Sequence, residues 1–132
     1  MIEILVVDVN PGDALVIRDY LKDRYDVRIT VAHGGEEAID FLSQPDHRTD
    51  LILLDLSLPT LNGMEAARRI RKVCPNSKIL FLSQDSSAEI VEEALRVGAH
   101  GYLLKSEATE LPLAVDAIAQ GTWFVSRRLK RP

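Results

Sequence analysis

Among 132 residues there is one cysteine, Cys74, so no intrachain disulfide can form. The three histidines, His33, His47 and His100, lie far apart, and no Cys/His spacing suggests zinc. They fall in loops or at element ends and read as solvated surface rather than as phosphohistidines. Cys74 reads as a small, buried residue near a helix end. Apolar runs stop well short of the roughly 18 consecutive residues of a membrane span. The opening Met1-Ile2-Glu3 carries an acid into its first apolar segment, unlike a signal peptide, so the expectation is a cytoplasmic protein. Positive charge is scarce too: 16 Lys and Arg against 20 Asp and Glu leave −4. That argues against a nucleic-acid surface on the body of the chain. Arg127, Arg128, Lys130 and Arg131 form a basic tail, read as a solvated linker rather than as a set of DNA phosphate contacts. There is no repeat and no low-complexity stretch, and the length suits one domain with its own core.

What is present is an alternation of short apolar runs with helical spacings, five of each. Ile4 to Val7, Leu51 to Leu54, Ile79 to Leu82 and Tyr102 to Leu104 are continuous enough for strands covered on both faces. Val27, Ile29 and Val31 alternate with polar residues, which suits a half-exposed edge strand. Between them Ala14, Ile17 and Leu21, then Ala38, Phe41 and Leu42, Met64, Ala67 and Cys74, Ile90, Ala94 and Leu95, and Leu113, Ala117 and Ile118 recur at helical intervals. Asn10-Pro11, Ser86 or Ser87, and Thr109-Glu110 look like helix starts; Gly98 and Gly121 look like stops. Such a (βα)₅ succession predicts an α/β flavodoxin-like doubly wound parallel sheet in strand order 2-1-3-4-5. Residues 1–125 would form this domain and 126–132 a basic tail or the start of a linker, the helix end lying just after Gly121.

Ligands bind outside the carboxyl ends of the strands in such sheets, at the point where strand order reverses. Asp8 closes the first apolar run, Asp55 the third, Ser83 the fourth and Lys105 the fifth. Each has an ordinary explanation alone, as a cap or a solvated charge. Four polar residues closing four apolar strands on one rim indicate a site. Paired carboxylates invite a hard cation such as Mg²⁺. One carboxylate can then attack phosphorus, while Lys105 and the Ser83 hydroxyl meet the developing charge. The chemistry pointed to is phosphoryl transfer onto Asp55.

The motifs Val6-Val7-Asp8, Leu54-Asp55-Leu56-Ser57-Leu58-Pro59, Asn62-Gly63, Leu80-Phe81-Leu82-Ser83 and Gly98-Ala99-His100-Gly101-Tyr102-Leu103-Leu104-Lys105 resemble those of response-regulator receiver domains of two-component signalling. Gly101-Tyr102-Leu103-Leu104-Lys105-Ser106 and Ala117-Ile118-Ala119-Gln120-Gly121 resemble the subfamily with a C-terminal helix-turn-helix DNA-binding domain. The resemblance implies a phosphorelay receiver, not an enzyme beyond self-catalysed phosphotransfer and dephosphorylation. Asp55 would be the phosphoacceptor, served by a sensor histidine kinase. Mg²⁺ would be held by Asp8, Asp55 and the backbone carbonyl of Ser57. Lys105 and Ser83 would bond the phosphoryl group and Tyr102 would turn inward as the switch aromatic, although an aromatic on an edge strand packed against a helix needs no switch. It further implies a possible homodimer through the fourth helix, fifth strand and fifth helix. DNA contact would belong to a domain absent from this sequence.

Three positions depart from the pattern. Two adjacent acids usually follow the first strand, whereas here Asp8 is followed by Val9 and Asn10, and Asn10 reads as a helix cap. Loss of that carboxylate should weaken Mg²⁺ binding by about 1–4 kcal/mol. Gln84 stands where a small residue is usual, beside the access to Asp55. Ser106 replaces a common proline after Lys105, so a cis bond there would cost roughly 2.5–4 kcal/mol. These departures carry the alternative of an atypical receiver that works through protein contacts without efficient phosphorylation. An aspartyl phosphatase would need an acid at Ser57, and a flavin site would want an uncharged phosphate loop after the first strand; neither is present.

Overall fold

The computed structural model describes residues 1–8, 10–57, 62–126 and 129. Val9, residues 58–61, and the tail residues Arg127, Arg128, Lys130 and Arg131 lie outside the described residues. The elements run β1 (Ile2–Val7), α1 (Pro11–Leu21), β2 (Val27–Ala32), α2 (Gly35–Leu42), β3 (Leu51–Asp55), α3 (Gly63–Val73), β4 (Lys78–Ser83), α4 (Ala88–Arg96), β5 (Gly101–Leu104), a 3₁₀ turn (Lys105–Glu110), α5 (Leu111–Ala119) and β6 (Phe124–Val125). They form one sheet ordered β2-β1-β3-β4-β5-β6, with every pair parallel.

Period-two alternation divides the strand side chains between two cores. Leu5, Val7, Ile52, Leu54, Ile79, Phe81 and Tyr102 face the small residues of α2, α3 and α4, among them Ala38, Ala66, Ala67 and Ala94. Ile4, Val6, Leu53, Leu80, Leu82 and Leu103 face Ile17 and Leu21 of α1 and Leu111, Ala114, Val115 and Ile118 of α5. Each large aliphatic side chain buried this way contributes about 1.5–3 kcal/mol, which is what holds helices this short on the sheet. β2 has only Ala32 buried, as its alternation predicts for an edge.

Local signals place the helices. Asn10 Oδ1 accepts the Gly12 N–H at 2.9 Å, with Pro11 in the first turn. Asn62 does the same for the Glu65 N–H at 2.9 Å, and Ser87, rather than Ser86, caps α4. Gly98 and Gly121 end helices with φ of 103° and 84°, a conformation glycine adopts without a Cβ penalty. Cys74, half-buried, is the C-cap of α3.

Two expectations need correction. Thr109 does not cap a helix: it lies within the 3₁₀ turn Lys105–Glu110, and α5 begins at Leu111 with Glu110 at its N-cap position but no side-chain cap. The segment after Gly121 also carries a strand that the five-strand reading did not include, because Phe124–Val125 adds a sixth strand to β5. Phe124 N–H donates to the His100 carbonyl (3.1 Å) and Ser126 N–H to that of Tyr102 (2.9 Å). Ser126 is fully buried, its Oγ accepting the Leu104 N–H at 2.8 Å. A Cβ at Gly101 would lie 2.7 Å from the Phe124 carbonyl oxygen, so a glycine is needed where the two backbones meet. Two residues are too few to show strand periodicity; the pairing partner makes the strand.

Candidate functional site

The carboxyl ends of β1, β3, β4 and β5 converge as their order requires. Asp55, the last residue of β3, is 3% exposed. Its Oδ1 accepts the Ser57 N–H at 2.9 Å, and its Oδ2 accepts from Lys105 Nζ at 3.0 Å. Asp8, 1% exposed, is tied by its N–H to the Ala32 carbonyl (3.0 Å), and its Oδ1 accepts the Asn10 N–H at 2.9 Å. Asp8 Oδ2 is buried, makes no hydrogen bond among the described residues, and lies 3.8 Å from Lys105 Nζ in an ion pair. The lysine emerges at the start of the 3₁₀ turn, which directs its ammonium back over the strand ends.

A third acid completes the group. Asp13, in the first turn of α1, places Oδ2 3.4 Å from Lys105 Nζ. Burial pushes the Asp8 carboxyl up to about 7, reinforced by the Asp13 carboxyl beside it and by the charge of Asp55; the Asn10 N–H and Lys105 pull the other way. Burial alone would lower the Lys105 pKa, but the Asp55 hydrogen bond and the charges of Asp55, Asp8 and Asp13 outweigh it and raise the value.

Ser83, 2% exposed at the end of β4, accepts the Asp85 N–H at Oγ (2.9 Å). Tyr102 is fully buried, and its hydroxyl donates to the Asp85 carbonyl at 2.6 Å. Burial also raises the Tyr102 pKa, keeping the phenol protonated as that bond requires. Tyr102 therefore already points inward, on a strand flanked by β4 and β6 rather than at an edge. Gly63 brings α3 against the Asp55 turn: a Cβ there would stand 2.6 Å from Leu56 Cα and 2.8 Å from the Asp55 carbonyl oxygen. Leu56, Ser57, Asn62, Met64, Arg68 and Ser83 line an open cleft beside the site, and Arg68 reaches Glu93 of α4 at 3.3 Å.

The structure thus brings together Asp8, Asp55, Ser83, Lys105 and the Ser57 turn, with Tyr102 one bond removed. Gln84 and Ser106 are exposed, and the described peptide bonds are all trans, including the one after Lys105. Sequence reasoning missed Asp13, whose signal was an acid in the first turn of a helix beginning directly after the Asp8 loop. It also missed Asp85, which links Ser83 to Tyr102 through its backbone.

The donors are oxygens, and the orphaned buried Asp8 Oδ2 fits a hard divalent cation such as Mg²⁺. Among the described residues no three His, Cys, Asp or Glu side chains already surround one metal position; the charge between these carboxylates is the Lys105 ammonium.

A six-stranded parallel sheet with two acids, a hydroxyl residue and a lysine on its carboxyl rim is the arrangement of a signalling receiver. The chain belongs to the response regulator receiver domain family, whose model matches residues 4–116. Among curated proteins it is 38% identical to the transcriptional regulatory protein DegU of Brevibacillus brevis over 98 residues (72% of this chain, 41% of DegU). It is 33% identical to the nitrate/nitrite response regulator NarL of Escherichia coli K12 over 128 residues (96% of this chain, 58% of NarL). The chain thus spans about half the length of these relatives. A LuxR-family two-component response regulator from Aurantimonas sp. SI85-9A1 superposes with a TM-score of 0.86 at 28% identity, covering 96% of this chain and 91% of that one. The chain is thus a response regulator receiver domain of the kind found in two-component systems. Among the described residues no helix is long and apolar enough to cross a membrane.

Proposed function

We propose that this chain is the receiver of a phosphorelay in which Asp55 takes a phosphoryl group from a sensor histidine kinase. The observation that carries the reading is the buried Asp55 carboxylate held by Lys105 Nζ at 3.0 Å at the carboxyl end of a central strand. An Asp55 oxygen attacks phosphorus; the P–N bond to the kinase imidazole breaks and its electron pair stays on nitrogen. The Lys105 ammonium follows the charge onto the phosphoryl oxygens. Asp8, Asp55 and the Ser57 carbonyl would hold Mg²⁺, whose charge would add to that of Lys105 in neutralising the phosphoryl oxygens.

The Ser83 hydroxyl accepts from the Asp85 N–H, and its own proton would turn from the neighbouring Tyr102 hydroxyl to a phosphoryl oxygen. A shift of Ser83 toward Asp55 pulls on Asp85, whose carbonyl Tyr102 holds. That linkage would pass the change to α4, β5 and α5, the face expected to dimerise. Residues 1–125 would act as the switch, and any DNA contact would belong to an output domain outside this sequence.

The test is intact-mass measurement after acetyl phosphate with Mg²⁺. Gain of one phosphoryl group by the wild type and none by Asp55→Asn supports the reading. A wild type that stays unmodified favours the receiver acting by protein contacts alone, for which the missing acid at position 9 is the supporting feature.

A further inference from the structure

Position 9 lacks an acid, yet the strand-end site still holds three carboxylates. We propose that Asp13, reaching in from α1, supplies the third carboxylate of the divalent-cation site, in place of the acid absent after Asp8. This rests on the reading above only in that the site takes Mg²⁺.

A first-turn acid usually serves the helix N-terminus and faces solvent. Asp13 instead reaches a lysine 92 residues away, at 3.4 Å. The Asn10 cap sets that direction: Gly12 N–H bonds the Asn10 side chain and Asp13 N–H bonds the Asn10 carbonyl (3.1 Å), fixing the first turn beside the Asp8 loop. Asp8 Oδ2 is buried, makes no hydrogen bond among the described residues, and meets the same ammonium. The Lys105 ammonium lies within 3.0–3.8 Å of an oxygen from each acid. Were all three carboxylates ionised, as a bound cation favours, they would leave two negative charges against the one ammonium, which one divalent ion would neutralise. Asp8 and Asp13 would turn from Lys105 to a bound ion, and Lys105 would keep its 3.0 Å contact with Asp55.

The experiment is a Mn²⁺ titration followed by the electron paramagnetic resonance of the free ion, with a parallel Mg²⁺ thermal-shift series and circular dichroism to confirm folding. Wild type, Asp13→Asn, Val9→Asp, the double variant, and Asp19→Asn as an exposed acid on the same helix are compared. Asp13→Asn should weaken Mn²⁺ binding about tenfold, the effect of roughly 1.4 kcal/mol of attraction. Val9→Asp should restore it in that background, and Asp19→Asn should leave it unchanged. The loss should persist when Lys105→Met is added; its disappearance there would mean that Asp13 acts only by positioning Lys105 and would overturn the proposal. Equal Mn²⁺ affinity of wild type and Asp13→Asn, or no saturable binding by wild type in the millimolar range, would overturn it as well. Metal binding is read without phosphodonor, so failure of acetyl phosphate labelling bears on the phosphorelay reading and not on Asp13.

Discussion

Replacing Lys105 by Met removes the ammonium that sits 3.0 Å from Asp55, 3.4 Å from Asp13 and 3.8 Å from Asp8. With an effective dielectric of about 20, each contact is roughly 4–6 kcal/mol in gross attraction, most of it offset by lost hydration. Removing one partner of a buried pair costs about 3–5 kcal/mol net. The Lys105 side chain is 27% exposed, so the lower part of the scale applies, and about 2–3 kcal/mol is expected in chelator. For a domain of this size that lowers Tm by roughly 6–12 °C. The loss should depend on pH. Asp8 is raised to about 7 from 3.8, so the folded state holds a proton that the unfolded state gives up. Its contribution is complete below the unfolded value and is lost as pH rises through about 7. Without Lys105 the Asp8 pKa climbs further, and the gap between wild type and variant should widen from about pH 6 to about pH 8. Urea denaturation in chelator at both pH values measures it. A variant within about 0.5 kcal/mol of wild type at both would refute the counter-charge role assigned to Lys105.

Gly63→Ala forces a Cβ against Leu56 Cα and the Asp55 carbonyl, neither of which is a flexible side-chain end, so a loss of about 1–3 kcal/mol in thermal unfolding and a shifted Asp55 amide resonance are expected. Ser126→Ala leaves the Leu104 N–H without its side-chain acceptor; about 1–3 kcal/mol should be lost in urea and the Leu104 amide should exchange faster, whereas unchanged exchange would mean that β6 is not anchored there. His100 Nδ1 accepts the Ile79 N–H at 3.3 Å, and burial with the charges of Arg71 and Lys78 lowers its pKa. The unfolded chain takes up that proton more readily, so stability present above about pH 6.5 should fall as pH drops through the folded pKa, and His100→Gln should flatten that decline.

Much of the architecture is legible in linear order because the parallel core strands are continuous apolar runs and β2 alternates. Those patterns are set by how many faces a strand buries, a local property of Leu51 to Leu54 or Val27 to Val31. The rim residues Asp8, Asp55, Ser83 and Lys105 are legible for the same reason, since each closes such a run. What escaped depends on partners distant in sequence. Phe124–Val125 is a strand because Gly101 leaves room for its backbone. Thr109 fails as a cap because the chain after Lys105 winds into a 3₁₀ turn.

The sequence by itself determined the (βα)₅ succession, the strand order and the four polar residues at the strand ends, because hydrophobic period and residue order settle these before any long-range contact forms. Tertiary structure alone decided that Asp13 belongs with them, that Asp85 links Ser83 to Tyr102, and that Ser126 closes the β5 edge. Each of those depends on where a cap, a turn or a neighbouring strand aims one group through space, and a contact spanning 92 residues between Asp13 and Lys105 leaves no periodic trace in either segment.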